Sequence, residues 1–213
     1  MTGFKPALIL AAITAIVSAL IIITYDLTYK DTSGVLTDKQ ASAVTAIYGG
    51  TADDYTVVPA EKWRPVLETA EDSELSRVVK VIKKNDGSIA FEVVVKGYKE
   101  GYDLMVGIKD GAVYGVSVVS VGEETPQLGT KTADPSFLDR FKGISDKAVI
   151  VKREPSAEGE VQAVASATRS SNGVAKAVNI ALGAYDRLKD IAVISADLIP
   201  EEDTALATGG GTQ

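Results

Sequence analysis

The 213-residue sequence contains no cysteine and no histidine, and each absence excludes a class of chemistry. Without cysteine the chain has no disulfides, no iron–sulfur ligands and no thiolate nucleophile. Without histidine it has no histidine-containing catalytic triad and lacks the usual zinc and haem ligands. We therefore predict no metal site, and any redox chemistry requires a bound organic cofactor.

Positive charge is also scarce. The formal net charge is −7, and no block of lysine and arginine interrupts the sequence. Proteins bind a nucleic-acid backbone mainly through clustered cations, so a nucleic-acid partner is not expected. The length suits one domain with a proper core plus an anchor.

An uncharged apolar run extends from Ala7 to Thr24, between Lys5 and Asp26. Eighteen helical residues at about 1.5 Å each just span a bilayer core of about 30 Å. A cleaved signal peptide usually has a shorter apolar region and a small-residue cleavage site, so we favour an uncleaved anchor. We predict a single-pass protein of the cell (inner) membrane, with a cytoplasmic N-terminus and an extracytoplasmic domain.

Changes in composition along the chain indicate four segments. We predict a transmembrane anchor over residues 1–25, a juxtamembrane linker over 26–36, one extracytoplasmic domain over 37–200 and a disordered tail over 201–213.

Turn and cap signals predict an α+β domain with an antiparallel sheet and packed helices. Thr37 can cap a helix that ends at Gly49-Gly50. Asp-Gly pairs separate strands 77–84 and 88–96, and again strands 104–108 and 112–121, which is typical of tight hairpins. Trp63-Arg64-Pro65 is interpreted as a small packing anchor.

The last third of the domain mixes short helices and strands. Asp134-Pro135 opens a short helix that stops at Gly143. Two further strands are predicted over 148–152 and 160–166, and an amphipathic helix over about 172–188.

The segment VASATRSSNGV, residues 164–174, places several hydroxyl side chains before the last helix. One interpretation is an N-cap with more capping groups than it needs, formed by Ser170, Ser171 or Asn172. The other is a phosphate site, because helix N-termini offer free N–H groups and partial positive charge, and Arg169 adds donors. The local pattern favours the cap and leaves both open.

Several motifs in fixed order resemble the FMN-binding subunits of the Rnf and Nqr respiratory complexes. Residues 165–168, Ala-Ser-Ala-Thr, followed by the hydroxyl pair, are similar to the flavinylation motif of this family. Residues 124–129, ETPQLG, resemble its ETPGLG loop, and residues 134–143 and 105–108 match in order. The spacing is closer to the RnfG type than to the larger NqrC type.

The resemblance implies that Thr168 carries FMN through a phosphoester, installed by a flavin transferase that uses FAD as donor. It also implies that the 124–129 loop lies near the flavin ring, with Thr125 and Leu128 in contact. The expected cofactor-binding residues are Thr168, Ser166, Ala167, Ser170, Ser171, Asn172, Glu124, Thr125, Leu128 and Gly129.

This sequence departs from the family pattern at three positions near the motif. Ala165-Ser166 stands where the family commonly has Ser-Gly, Gln162 where an Asp often precedes the motif, and Arg169 where an aliphatic residue is usual. A serine in place of glycine constrains the backbone if that position requires a positive φ.

The function implied is that of an electron carrier in a membrane ferredoxin:NAD⁺ oxidoreductase complex that moves Na⁺ or H⁺. Such a carrier would have no catalytic acid, base or nucleophile of its own. Its partners would be the other Rnf subunits. Two alternatives stay open: an NqrC-like component of an NADH:quinone oxidoreductase, and an anchored assembly module without flavin.

Overall fold

The computed structural model describes residues 4–28, 34–69 and 73–189, and it divides into two units, Met1–Thr32 and Ser33–Gln213. The predicted tail over 201–213 lies outside the described residues. Within α1, side chains are described for residues 9–22 and 24.

The N-terminal unit consists of one helix, α1 (Phe4–Thr28), which forms where the sequence predicts it and extends into the predicted linker. Its apolar side chains are exposed within their own unit, for example Ile13, Leu20 and Ile22. Among the helices in the described ranges, none is both long enough and apolar enough to cross a membrane. The role of α1 as an anchor therefore stays a prediction.

A five-stranded antiparallel sheet forms the centre of the second unit. Its strands are β1 (Tyr55–Val58), β2 (Val78–Lys84), β3 (Ile89–Val95), β4 (Tyr102–Lys109) and β5 (Ala112–Ser120), in the order β1-β2-β3-β4-β5. Both predicted hairpins are confirmed. The turn residues Gly87, Asp110 and Gly111 have φ values of 87°, 53° and 79°, which tight turns between twisted strands require.

Helix α2 (Asp38–Tyr48) covers one face of this sheet. Its predicted N-cap is confirmed as a full capping box, in which Thr37 accepts from the Gln40 N–H and the Gln40 side chain accepts from the Thr37 N–H. Ala43 and Val44 of α2 pack against a small cluster that includes Ile82 and Met105.

Helix α5 (Thr168–Leu188) covers the opposite face and buries the main core. Residues alternate along each strand, so that Phe91 and Leu104 face α5 while their neighbours face α2. The helix begins at Thr168, four residues before the predicted start at Asn172. The apolar period located the helix body correctly, and the hydroxyl-rich residues that suggested a cap lie inside it.

The remaining elements lie around these two layers. Helix α3 (Ala60–Glu68) buries Trp63, whose indole N–H donates to the Val58 carbonyl at 3.2 Å, so the predicted packing anchor is confirmed. Helix α4 (Pro135–Leu138) begins after Asp134 as predicted, but the Asp134 side chain makes no capping hydrogen bond. The α-helix ends at Leu138 and continues as a 3₁₀ turn over Asp139–Phe141, short of the predicted stop at Gly143.

The two strands predicted before α5 are present but short. Strands β6 (Val149–Val151) and β7 (Glu160–Gln162) pair in parallel and form a separate sheet. The two predicted hairpins supply four strands of the five-stranded sheet, and β1, which was not predicted, adds the fifth beside β2. Strand β7 leads through a turn into α5.

Candidate functional site

The first turn of α5 uses its polar side chains differently from the predicted cap. Ser170 donates to the Glu124 Oε2 atom at 2.6 Å, Ser171 donates to the Ala167 carbonyl at 3.0 Å, and Asn172 donates to the Thr168 carbonyl at 2.8 Å. The N-cap position is Ala167, which has no capping side chain. The prediction that Ser170, Ser171 or Asn172 caps the helix is therefore wrong.

Thr168 is the first residue of the helix, and its side chain is half-buried. Among the residues that the structure describes, none forms a hydrogen bond with its hydroxyl group. Two residues before Thr168, Ser166 is exposed and has a φ of 64°. The chain thus turns sharply before α5 and leaves the threonine hydroxyl unused by the fold.

Glu124 connects three segments of the chain. It is 5% exposed, its Oε1 accepts from the Tyr98 backbone N–H at 2.7 Å, and its Oε2 accepts from the Ser170 hydroxyl. The loop after β5, the connection between β3 and β4, and the start of α5 therefore meet at one carboxylate.

Two glycines make room for this carboxylate. A Cβ on Gly97 would overlap Oε1 of Glu124, and a Cβ on Gly129 would overlap Oε2. A third glycine, Gly173, lets α5 approach the backbone at Gly97, where a Cβ would lie 3.0 Å from the Gly97 Cα. Side chains at these positions would push the helix away from both loops.

The 124–129 loop is held from its other end as well. The Thr132 hydroxyl donates to the Gly129 carbonyl at 2.7 Å and is hydrogen-bonded to the Tyr102 hydroxyl at 2.9 Å. Burial raises the pKa of Tyr102 to about 12, so its phenol remains protonated. Within the loop, Leu128 is 43% exposed and Gln127 has a φ of 61°.

A cation and an aromatic ring lie beside this junction. The Arg169 guanidinium is 5.9 Å from the centroid of the Tyr98 ring, and Tyr98 is 50% exposed. Glu124 joins the 124–129 loop to helix α5. Exposed Leu128, on this loop, and exposed Tyr98, beside Arg169 of α5, lie on either side of that contact.

The structure brings together some of the predicted site residues and not others. Glu124, Gly129 and Ser170 are in contact, whereas Ser171 and Asn172 form bonds within or just before their own helix. Thr125 is half-buried, and its carbonyl accepts from Leu128 and Thr130 within the loop.

Sequence reasoning missed several residues of this junction, namely Gly97, Tyr98, Tyr102, Thr132 and Gly173. Tyr98 and Glu124 are 26 residues apart in sequence, and no local pattern marks the pair. The only available signal was the glycine at 173 inside an otherwise apolar helix face, since such a glycine often indicates close packing.

A second buried polar cluster lies on the opposite face of the sheet, under α2. Glu92 is 3% exposed, and the Gln40 side-chain amide donates to its two oxygens at 2.9 and 2.8 Å. The Oδ1 atom of neighbouring Asp103 has no hydrogen-bond partner. Burial, together with the negative charge of Glu92, raises the pKa of Asp103 to about 7.

A protein-family model matches the region in which Glu124 joins the two loops to α5. The family model described as an FMN-binding domain matches residues 97–183, a range that contains Glu124, Thr168 and both connecting loops.

Two curated proteins are similar in sequence. The G subunit of the Na⁺-translocating ferredoxin:NAD⁺ oxidoreductase complex of Acetobacterium woodii is 29% identical over 199 residues, which cover 87% of this chain and 92% of that protein. The G subunit of the proton-translocating complex of Clostridium ljungdahlii is 35% identical over 103 residues, which cover 47% of this chain and 55% of that protein.

Two solved structures also resemble the chain. The C subunit of the Na⁺-translocating NADH-quinone reductase of Parabacteroides distasonis is 22% identical with a TM-score of 0.41, covering 55% of this chain and 62% of that one. NqrC of Shewanella oneidensis is 21% identical with a TM-score of 0.45, covering 56% and 65%. The chain thus spans less than two thirds of each solved chain. The resemblance predicted from the motifs is confirmed: residues 97–183 match the family model of an FMN-binding domain, and the chain is similar to the G subunits of two ferredoxin:NAD⁺ oxidoreductase complexes.

Proposed function

We propose that this protein is an electron-carrier subunit of a membrane ion-translocating ferredoxin:NAD⁺ oxidoreductase complex, and that it carries FMN covalently on Thr168. One observation carries the proposal: within an FMN-binding domain, the first residue of α5 presents a threonine hydroxyl that the described residues do not use. The similarity to the G subunits of two such complexes supports the assignment.

The residues around Thr168 fit a flavin phosphate. The N-terminus of a 21-residue helix offers free N–H groups and partial positive charge, and Arg169 adds a guanidinium next to the attachment point. No side chain caps this N-terminus, so its N–H groups are not occupied by a capping oxygen. Exposed Leu128 and Tyr98 provide apolar surface on which a flavin ring could lie.

Attachment requires a flavin transferase as a maturation partner. In that reaction the Thr168 oxygen forms a bond to the FMN phosphorus of FAD, the phosphoanhydride bond to AMP breaks, and the threonine proton is released. The products are the FMN–threonine ester and AMP. A covalent link prevents loss of a soluble cofactor from the protein.

The protein's own groups then hold the cofactor and do not react with a substrate. The bound flavin supplies the electron-transfer chemistry. Glu124, Gly97 and Gly129 fix the two loops against α5, and exposed Leu128 and Tyr98 offer apolar surface beside them. The protein is accordingly a carrier, and its partners are the other subunits of the complex.

We further propose that α1 anchors the protein to the cell membrane, with the FMN-binding domain outside the cytoplasm. The eighteen uncharged residues from Ala7 to Thr24 and the exposed apolar side chains of α1 support this proposal. When the protein is expressed without the other subunits, removing residues 1–28 should release it from the membrane fraction. Equal membrane association of both forms would contradict the anchor.

The FMN proposal is tested by the mass of the denatured protein. The full chain, co-expressed with a flavin transferase, should gain the mass of FMN less one water and fluoresce in a denaturing gel. Thr168→Val should show neither, whereas the control Thr56→Val, which removes an exposed hydroxyl on β1, should be modified like wild type. An unmodified wild-type protein, under conditions that modify a known substrate of the transferase, would contradict the proposal.

A further inference from the structure

The Glu124 carboxylate is buried without a compensating cation. Both of its hydrogen-bond donors, the Tyr98 N–H and the Ser170 hydroxyl, are neutral groups. Within the described part of the chain, Glu124 forms no salt bridge, and Gly97 and Gly129 pack directly against its oxygens. Its negative charge is therefore largely removed from solvent and is not paired with a cation in direct contact, since the guanidinium of nearby Arg169 lies over the Tyr98 ring.

The adjacent residue, Glu123, has the opposite environment. Its side chain is 78% exposed, and Lys99 lies 3.4 Å from its carboxylate. Water and counterions screen such a charge almost completely. The two neighbouring glutamates thus provide a buried and a screened charge at nearly the same place in the chain.

Glu124 is also close to the proposed attachment point. It accepts a hydrogen bond at 2.6 Å from Ser170, which lies two residues after Thr168 in the same helical turn. Any flavin that is linked to Thr168 and rests against the 124–129 loop is exposed to the field of this carboxylate.

We propose that the buried charge of Glu124 lowers the reduction potential of the flavin, an inference that rests on the proposed function. Reduction adds two electrons to the flavin, and negative charge accumulates on the ring when fewer than two protons are taken up from water. A fixed anion nearby disfavours this added charge. Glu124 is therefore a residue that sets the potential of the carrier as well as joining the loops.

The test compares the flavin midpoint potentials of holo full-length proteins by spectroelectrochemical titration. Glu124→Gln removes the charge and keeps both hydrogen bonds, because its amide oxygen can accept from Tyr98 and its NH₂ group can donate to the Ser170 oxygen. Its potential should shift positive by an amount that salt does not reduce. Glu123→Gln should leave the potential unchanged.

A third variant separates charge from structure. Ser170→Ala breaks the hydrogen bond to Oε2 and keeps the charge, so its potential should not shift positive. A wild-type potential in Glu124→Gln, or an equal positive shift in Ser170→Ala or Glu123→Gln, would overturn the inference.

If Glu124→Gln carries no flavin, Glu124→Asp and Glu124→Asn decide, because they share a shape and differ in charge. The Asn variant should then have the higher potential; equal potentials, or flavin in neither, would overturn the inference. Absence of flavin from the wild-type protein would instead contradict the proposed function.

Discussion

The two faces of the central sheet each bury carboxyl groups, and they hold them in opposite ways. On the α5 side, both oxygens of Glu124 accept a hydrogen bond and two glycines enclose them. On the α2 side, Glu92 is bonded to Gln40, but the neighbouring Asp103 retains an oxygen without a partner.

The difference shows what a buried carboxyl group can do. A carboxylate whose oxygens are all hydrogen-bonded fixes the segments that bond to it, and this is the arrangement at the candidate flavin site. A buried acid that is incompletely bonded and next to a second acid retains its proton to a higher pH. The α5 side therefore determines geometry, and the α2 side makes stability depend on pH.

The largest expected effect on stability comes from filling the glycine contact on the α5 side. Gly97→Ala places a methyl group against the Glu124 Oε1 atom and displaces it from the Tyr98 N–H. We expect a loss of about 3 kcal/mol in the free energy of unfolding, measured by urea denaturation. Gly34→Ala is the matched control, since a Cβ there meets nothing within 4 Å. Equal losses in both variants would show that the contact with Glu124 has no special role.

A smaller effect is expected from removing Asp103, the incompletely hydrogen-bonded acid on the α2 side. Folding raises the pKa of Asp103 to about 7, so the folded protein holds a proton that the unfolded chain releases near its ordinary value. Stability from this group is present below about pH 4 and is lost as pH rises toward 7. The charged groups that face it are Glu92 and, through Gln40, Lys80.

Asp103→Asn should abolish this dependence. At pH 8 we expect the variant to be more stable than wild type by about 2 kcal/mol, with near equality at pH 4, because Asn remains neutral and can donate to Glu92. Thermal unfolding across pH 4–8 is the measurement. A wild-type pH profile in the variant would show that Asp103 is not the titrating group. The α5 side should be unaffected, so flavin loading should stay at the wild-type level.

The smallest effect concerns the strained backbone before α5. Ser166 adopts a φ of 64°, which glycine adopts without a steric penalty. We expect Ser166→Gly to stabilise the protein by about 0.5 kcal/mol, the relief of strain being partly offset by the greater freedom of the unfolded chain. Asp110→Gly, at a hairpin turn with a φ of 53°, is the control for a positive φ away from the site. Thermal unfolding should show similar gains, but only Ser166→Gly should change the rate of flavin attachment.

Local signals in the sequence predicted much of this fold. The Asp-Gly pairs located both hairpins, and Thr37 with Gln40 located the start of α2. The start of α5 was misplaced because Ser170 bonds to distant Glu124 and Ser171 bonds to Ala167, so neither is free to cap. Contacts such as Tyr98 with Glu124 depend on how the loops pack, which no local pattern encodes.

The motifs that carry the family resemblance contain two unusual backbone positions. Ser166, in residues 165–168, and Gln127, in residues 124–129, adopt positive φ values of 64° and 61°. Glycine adopts this conformation without a steric penalty, so each of these side chains adds strain at its turn. The sequence could indicate the motif, but the cost of these two side chains is visible only in the structure.

The most direct test of the account is to locate the flavin among the hydroxyl groups around the start of α5. Trypsin separates residues 154–169, which include Ser166 and Thr168, from residues 170–176, which include Ser170 and Ser171. Fragment-ion mass spectrometry of the modified full-length protein should place FMN on Thr168 in the first peptide. FMN on Ser166, Ser170 or Ser171, or on no residue of either peptide, would contradict the account.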